Sequence, residues 1–129
     1  MNEKVLQIRE AIAKLESEGK YNLISKASKN GDRAYGKYQV MGKNVPVWTK
    51  AILKVKMTPR EFLANPKAQD EVAYKIMLDY YNRYGRVEDV ASMWFSGRPY
   101  SDKVANKKDA YGTSVKKYVQ VVLKNMGTV

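Results

Sequence analysis

Apolar residues recur first at Val5, Ile8, Ile12 and Leu15, the spacing of one helix face, so residues 3–18 read as an amphipathic helix that Gly19 ends. The next segment, Lys20 to Gly36, is polar and glycine-bearing and reads as a loop, with a short extended piece allowed in GKYQVMG. A helix around Val45–Leu53 follows, and Pro46 is tolerable in its first turn. Thr58–Glu61 spells TPRE, a capping box with proline in the first helical position, and Asn65-Pro66 repeats the start signal. Val72, Ile76, Tyr80 and Tyr84 then descend one face to Gly85. Glu88 and Asp89 suit the positive end of another helix running through Phe95. Residues 98–112 look irregular, and a last helix sets Val115, Val119, Val122, Leu123 and Met126 inward before Gly127. Strand alternation of useful length, repeats and low-complexity linkers are all missing. The pattern predicts a mainly α fold in a single domain, residues 1–129, with at most a short β hairpin.

Glu16 breaks this pattern. At about 100° per residue it projects within about 40° of Ile12 and Val5, on the apolar stripe. Glu3, Glu10 and Glu18 fall with Lys14 on the opposite, solvated side. Burial and the negative end of a helix both disfavour a carboxylate, so a group so placed keeps its proton towards neutral pH. A protonated carboxyl is what a leaving glycosidic oxygen requires of a general acid. A helix-end acid can equally turn to water or reach for Arg9, two turns earlier on a similar bearing. Helix geometry leaves both readings open.

Composition narrows the alternatives. The chain has no histidine and no cysteine, which excludes Ser-His-Asp and Cys-His nucleophiles, disulfides and His/Cys zinc sites. Carboxylate, lysine and tyrosine chemistry remain, no ligand cluster calls for a metal, and no cofactor is expected. The net charge is +11, and the first 18 residues hold four acids against three bases, so the excess lies in the rest. That balance suits an anionic partner, a nucleic acid or an acidic polymer such as a bacterial wall, or simply a soluble surface. Lysines spread over nearly every segment argue against one nucleic-acid-reading face. No stretch is apolar enough to insert in a membrane, and no basic-then-apolar leader is visible, so delivery by another agent is expected.

Two further constellations accompany Glu16. NGDRAYGKYQVMG, Asn30 to Gly42, offers turn chemistry at Asp32, with Tyr21, Tyr35, Tyr38 and Gln39 around it. Aromatic faces and an amide can hold a sugar ring, although tyrosines at such intervals also build cores. SMWFSGRPY, Ser92 to Tyr100, ends a helix in Trp94-Phe95 before Ser-Gly, which suits Trp94 at a cavity wall or an ordinary core closing at a glycine cap.

In order and spacing, ESEGKY, GKYQVM and MWFSG resemble the three signatures of the soluble lytic transglycosylase and goose-type lysozyme superfamily. The similarity is greatest to phage-encoded wall-degrading domains and runs from about Ile8 to Tyr100. The resemblance implies a lysozyme-like domain with a substrate cleft. It implies cleavage of the β-1,4 bond between N-acetylmuramic acid and N-acetylglucosamine in peptidoglycan, with Glu16 as acid and Ser17 beside it. Gly36, Tyr38, Gln39 and Met41 fall on a GLMQI-type segment, and Asp32 on a goose-type aspartate that positions water. Ser17, Tyr21, Tyr35, Tyr38, Gln39, Met41, Trp94 and Tyr100 are then the expected substrate contacts. Trp94 and Phe95 stand where the family's AYNAG motif has tyrosine and asparagine, so Tyr35, Tyr38 or Tyr100 is expected to bring the missing hydroxyl to the acid. A monomer, carried on a virion or released from a host cytoplasm to reach the wall, is the expected context. A catalytically silent wall-binding module is the alternative, and a basic nucleic-acid-binding domain a weaker one.

Overall fold

Asn2 opens the first helix by accepting a hydrogen bond from the Val5 N–H at 3.0 Å. The computed structural model describes residues 1–109 and 112–127. In it α1 (Glu3–Ser17) is followed by a hairpin, β1 (Ala34–Tyr35) and β2 (Val40–Met41). Then come α2 (Asn44–Leu53), α3 (Pro59–Leu63), α4 (Pro66–Tyr84), α5 (Val87–Ser96) and α6 (Val115–Asn125). The fold is mainly helical with a short antiparallel hairpin. No described helix is long and apolar enough to cross a membrane.

The start signals act as their chemistry dictates. Thr58 and Glu61 form the reciprocal capping box, and Asn65 caps α4 through the Ala68 N–H with Pro66 behind it. Ser114, a cap the hydrophobic pattern did not single out, accepts from the Lys117 N–H to start α6. The first helix ends one residue earlier than its apolar pattern suggests, because Glu18 itself takes the left-handed conformation, φ 56°, ahead of Gly19.

The loop after α1 carries more order than its polarity suggests. Ile24 bridges Tyr35, so the hairpin gains a third strand-like edge, with register Ala34 to Met41 and Tyr35 to Val40. In the stretch expected to be irregular, a 3₁₀ turn spans Tyr100–Asp102, and residues 110 and 111 lie outside the described residues. Asp89, buried, accepts from the Ser101 N–H at 2.9 Å and ties this turn to α5.

Two apolar clusters hold the elements. The larger joins α1, α4, α5 and α6 through Val5, Ile8, Ile12, Met77, Val90, Val119 and Val122. The smaller seats the hairpin and α2 on α3 and α4 through Val40, Val45, Phe62 and Val72. Trp94 packs against both, and its ring lies 5.6 Å from that of Trp48. The hairpin is therefore held at the side of α1 that carries Glu16.

Candidate active site

Glu16 lies in the last turn of α1 and accepts a 2.7 Å hydrogen bond at Oε2 from the Tyr118 hydroxyl, which α6 brings from the far end of the chain. Tyr118 is buried, and Phe95 stacks on it with centroids 4.4 Å apart and planes 17° from parallel. Burial raises the Glu16 pKa to about 7; the Tyr118 hydrogen bond opposes that shift and the negative charge of Asp109 adds to it. Tyr118 is in turn pushed well above the ordinary tyrosine range, first by its own burial and then by Glu16. The carboxyl thus exchanges its proton near neutrality while its orientation is fixed by one neutral donor.

The hairpin is pinned beside this acid by backbone contacts. The Ser17 hydroxyl donates to the Lys37 carbonyl at 2.6 Å, and Gln69 Oε1 accepts from the Lys37 N–H at 2.8 Å. Gln69 is fully buried and its amide nitrogen also donates to the carbonyls of Tyr21, Phe62 and Leu63. Gly36 has φ +85°, and a Cβ there would meet Gln69 Oε1 at 2.2 Å, so only glycine allows the hairpin to sit this close to α4. Across the turn, Trp94 Nε1 donates to the Tyr38 carbonyl at 3.1 Å.

A groove of about 310 Å³ opens over Glu16. Of the residues expected at a site, Glu16, Asp32, Gln39, Met41 and Trp94 all line it. Asp32 enters from the hairpin, where Oδ1 accepts from the Arg33 N–H and Oδ2 from the Lys43 N–H, at 2.8 and 3.1 Å. Gly42 leaves room for that carboxylate, since a Cβ would come within 2.5 Å of Oδ1. Gln39 holds a left-handed conformation, φ 57°, and its amide nitrogen donates to the Leu23 and Gly36 carbonyls, which leaves its carbonyl oxygen for a ligand. Among the described residues, the carboxylates do not gather closely enough to hold a metal ion.

Five expected contacts are placed elsewhere, each for a visible reason. Ser17 is buried and spends its hydroxyl on the hairpin. Tyr38 is buried and Tyr21 half-buried, and both donate to the Asp70 carboxylate on α4. Tyr35 points to the other face of the hairpin, into a second cavity. Tyr100 packs against the larger core cluster. The hydroxyl on the acid accordingly comes from Tyr118, not from Tyr35, Tyr38 or Tyr100.

Phe95, Lys26 and Asp109 also line the groove and were not singled out as site residues from the sequence. Tyr118 carried a readable signal, since it lies three residues after Val115 and four before Val122, on the apolar face of α6. Asp109 carried none. No family model, curated protein or solved structure matches the chain.

Proposed function

We propose that the groove is the active site of a peptidoglycan-degrading glycosidase, phage-encoded and used in wall penetration or lysis, with Glu16 as its general acid. The observation that carries this reading is a half-buried glutamate lining an open groove, its carboxyl held by the Tyr118 hydroxyl at 2.7 Å and its pKa pushed by desolvation up to about 7. An acid so tuned holds its proton at neutral pH and still releases it. The fit to glycan is supported by the indole of Trp94 and the Gln39 amide beside it, an apolar face and a polar group of the kind that hold a sugar ring.

In the proposed reaction Glu16 gives its proton to the bridging oxygen as the C1–O bond between N-acetylmuramic acid and N-acetylglucosamine breaks. Positive charge spreads over C1 and the ring oxygen. Asp32 then takes a proton from water attacking C1, which yields a reducing end and an inverted centre. If the muramic 6-hydroxyl attacks instead, the Glu16 carboxylate recovers its proton from that hydroxyl and a 1,6-anhydro end forms. The net charge of +11 draws the protein to wall anions and raises its encounter rate at low salt.

Digestion of purified peptidoglycan followed by mass spectrometry of the released muropeptides tests this reading. Wild type should release soluble fragments and Glu16→Gln none, with circular dichroism unchanged. Equal release by the variant removes Glu16 from the chemistry, and sacculus binding without release by wild type makes the protein a binding module.

A further inference from the structure

The small sheet separates two cavities. Side chains alternate across a strand, and the register places Ser25, Ala34 and Met41 on the groove face with Asp32. Ile24, Arg33 and Tyr35 point the other way and line a second cavity of about 510 Å³ with Arg60 and Leu63 from α3. Ile24 is 44% exposed, and both guanidiniums are exposed as well. Arg33 Nη1 donates to the Ser25 carbonyl, but neither arginine pairs with a carboxylate among the described residues. Apolar walls between two unpaired guanidiniums form a site for an oxyanion attached to small alkyl groups.

We propose that this second cavity binds the carboxylate end of a short alanyl peptide, the chemistry of a peptidoglycan stem, with Arg33 and Arg60 on the carboxylate and Ile24, Tyr35 and Leu63 against the methyl groups. The choice of a wall peptide rests on the glycosidase reading. Charge complementarity makes the carboxylate the anchor, because a guanidinium fork matches two carboxylate oxygens at once. The two-stranded sheet lies between this cavity and the groove, which share no lining residue, so the peptide held behind it need not belong to the sugar in the groove. Such a site would hold the enzyme on one strand while it cuts another.

The test is an amide chemical-shift titration of the full chain with N-acetyl-D-alanyl-D-alanine, its C-terminal amide and inorganic phosphate. The expected result is saturable shifts at Ile24, Arg33, Tyr35, Arg60 and Leu63 with the free acid. Affinity should fall about tenfold with the C-terminal amide and in Arg60→Gln or Arg33→Gln, as for loss of one charge-assisted hydrogen bond. Arg60 is exposed, so its variant tests binding without challenging the fold. Absence of these shifts, shifts confined to the groove face, or equal affinity for phosphate would each overturn the proposal. No cleavage occurs in this titration. An empty shift map therefore leaves muropeptide release standing, and failure to release muropeptides leaves the shift map standing.

Discussion

Tyr118 and Glu16, 102 residues apart in sequence, meet in a 2.7 Å hydrogen bond that joins the last helix to the end of the first. The donor favours the charged carboxylate, while burial and Asp109 favour the neutral acid. Burial wins, and the acid titrates near neutrality. The bond sets orientation and trims the shift.

The pH dependence of cleavage follows. A general acid must be protonated, so kcat/KM should fall as pH rises above about 7. Tyr118→Phe keeps the ring stacked on Phe95 and removes the hydrogen bond that, among the described residues, holds the Glu16 pKa down. Its alkaline limb should therefore move to higher pH, and kcat should drop about tenfold as the carboxyl loses its fixed orientation. A pH–rate profile of both proteins on peptidoglycan reads the two effects separately. An unmoved limb would show that the hydroxyl does not bear on the acid.

Stability should depend on the same group. Unfolded, Glu16 ionises near 4.5; folded, near 7. Between those values the folded state keeps a proton that the unfolded chain has lost, so this favourable contribution is complete below 4.5 and gone above 7. Glu16→Gln carries no charge to bury. It should match wild type at pH 4 and exceed it by about 1–3 kcal/mol at pH 8. Urea unfolding at the two pH values checks the sign as well as the size.

Glu18 holds φ 56° at the end of α1, where a side chain is strained and glycine is not. Glu18→Gly should stabilise the fold by about 1 kcal/mol, read as a higher urea midpoint. Its exposed carboxylate is off the groove, and cleavage should change little.

Gln69 is the pin of the hairpin. Gln69→Ala strands the Lys37 N–H and the Tyr21 and Leu63 carbonyls, while the Phe62 carbonyl keeps the Asn65 N–H, and it opens a void beneath Gly36, for a loss of about 2–4 kcal/mol. Hydrogen exchange should quicken first at Lys37, before the core of α4 opens.

Local geometry made part of this site legible. The period of α1 sets Glu16 on the apolar stripe, because its neighbours four residues away fix its bearing, but it leaves open a turn to water or to Arg9. The cap at Thr58 obeys a rule only a few residues long. Tyr38 shows where such reasoning stops. Its sequence setting suits a sugar contact, but its hydroxyl is taken by Asp70, from a helix whose proximity only the tertiary fold creates. Tyr118 and Asp109 reach Glu16 across most of the chain, and Gln69 is a polar residue whose partners all lie in other segments. The hairpin strands, two residues each, are too short to show alternation, so the two faces that separate the groove from the second cavity emerge only from the register.

The most direct test of the central claim is a ¹³C NMR titration of the Glu16 side-chain carboxyl in the folded protein. A midpoint at about 7, moving upward in Tyr118→Phe, is the expected result. A midpoint near 4.5, that of an ordinary solvated glutamate, would contradict it.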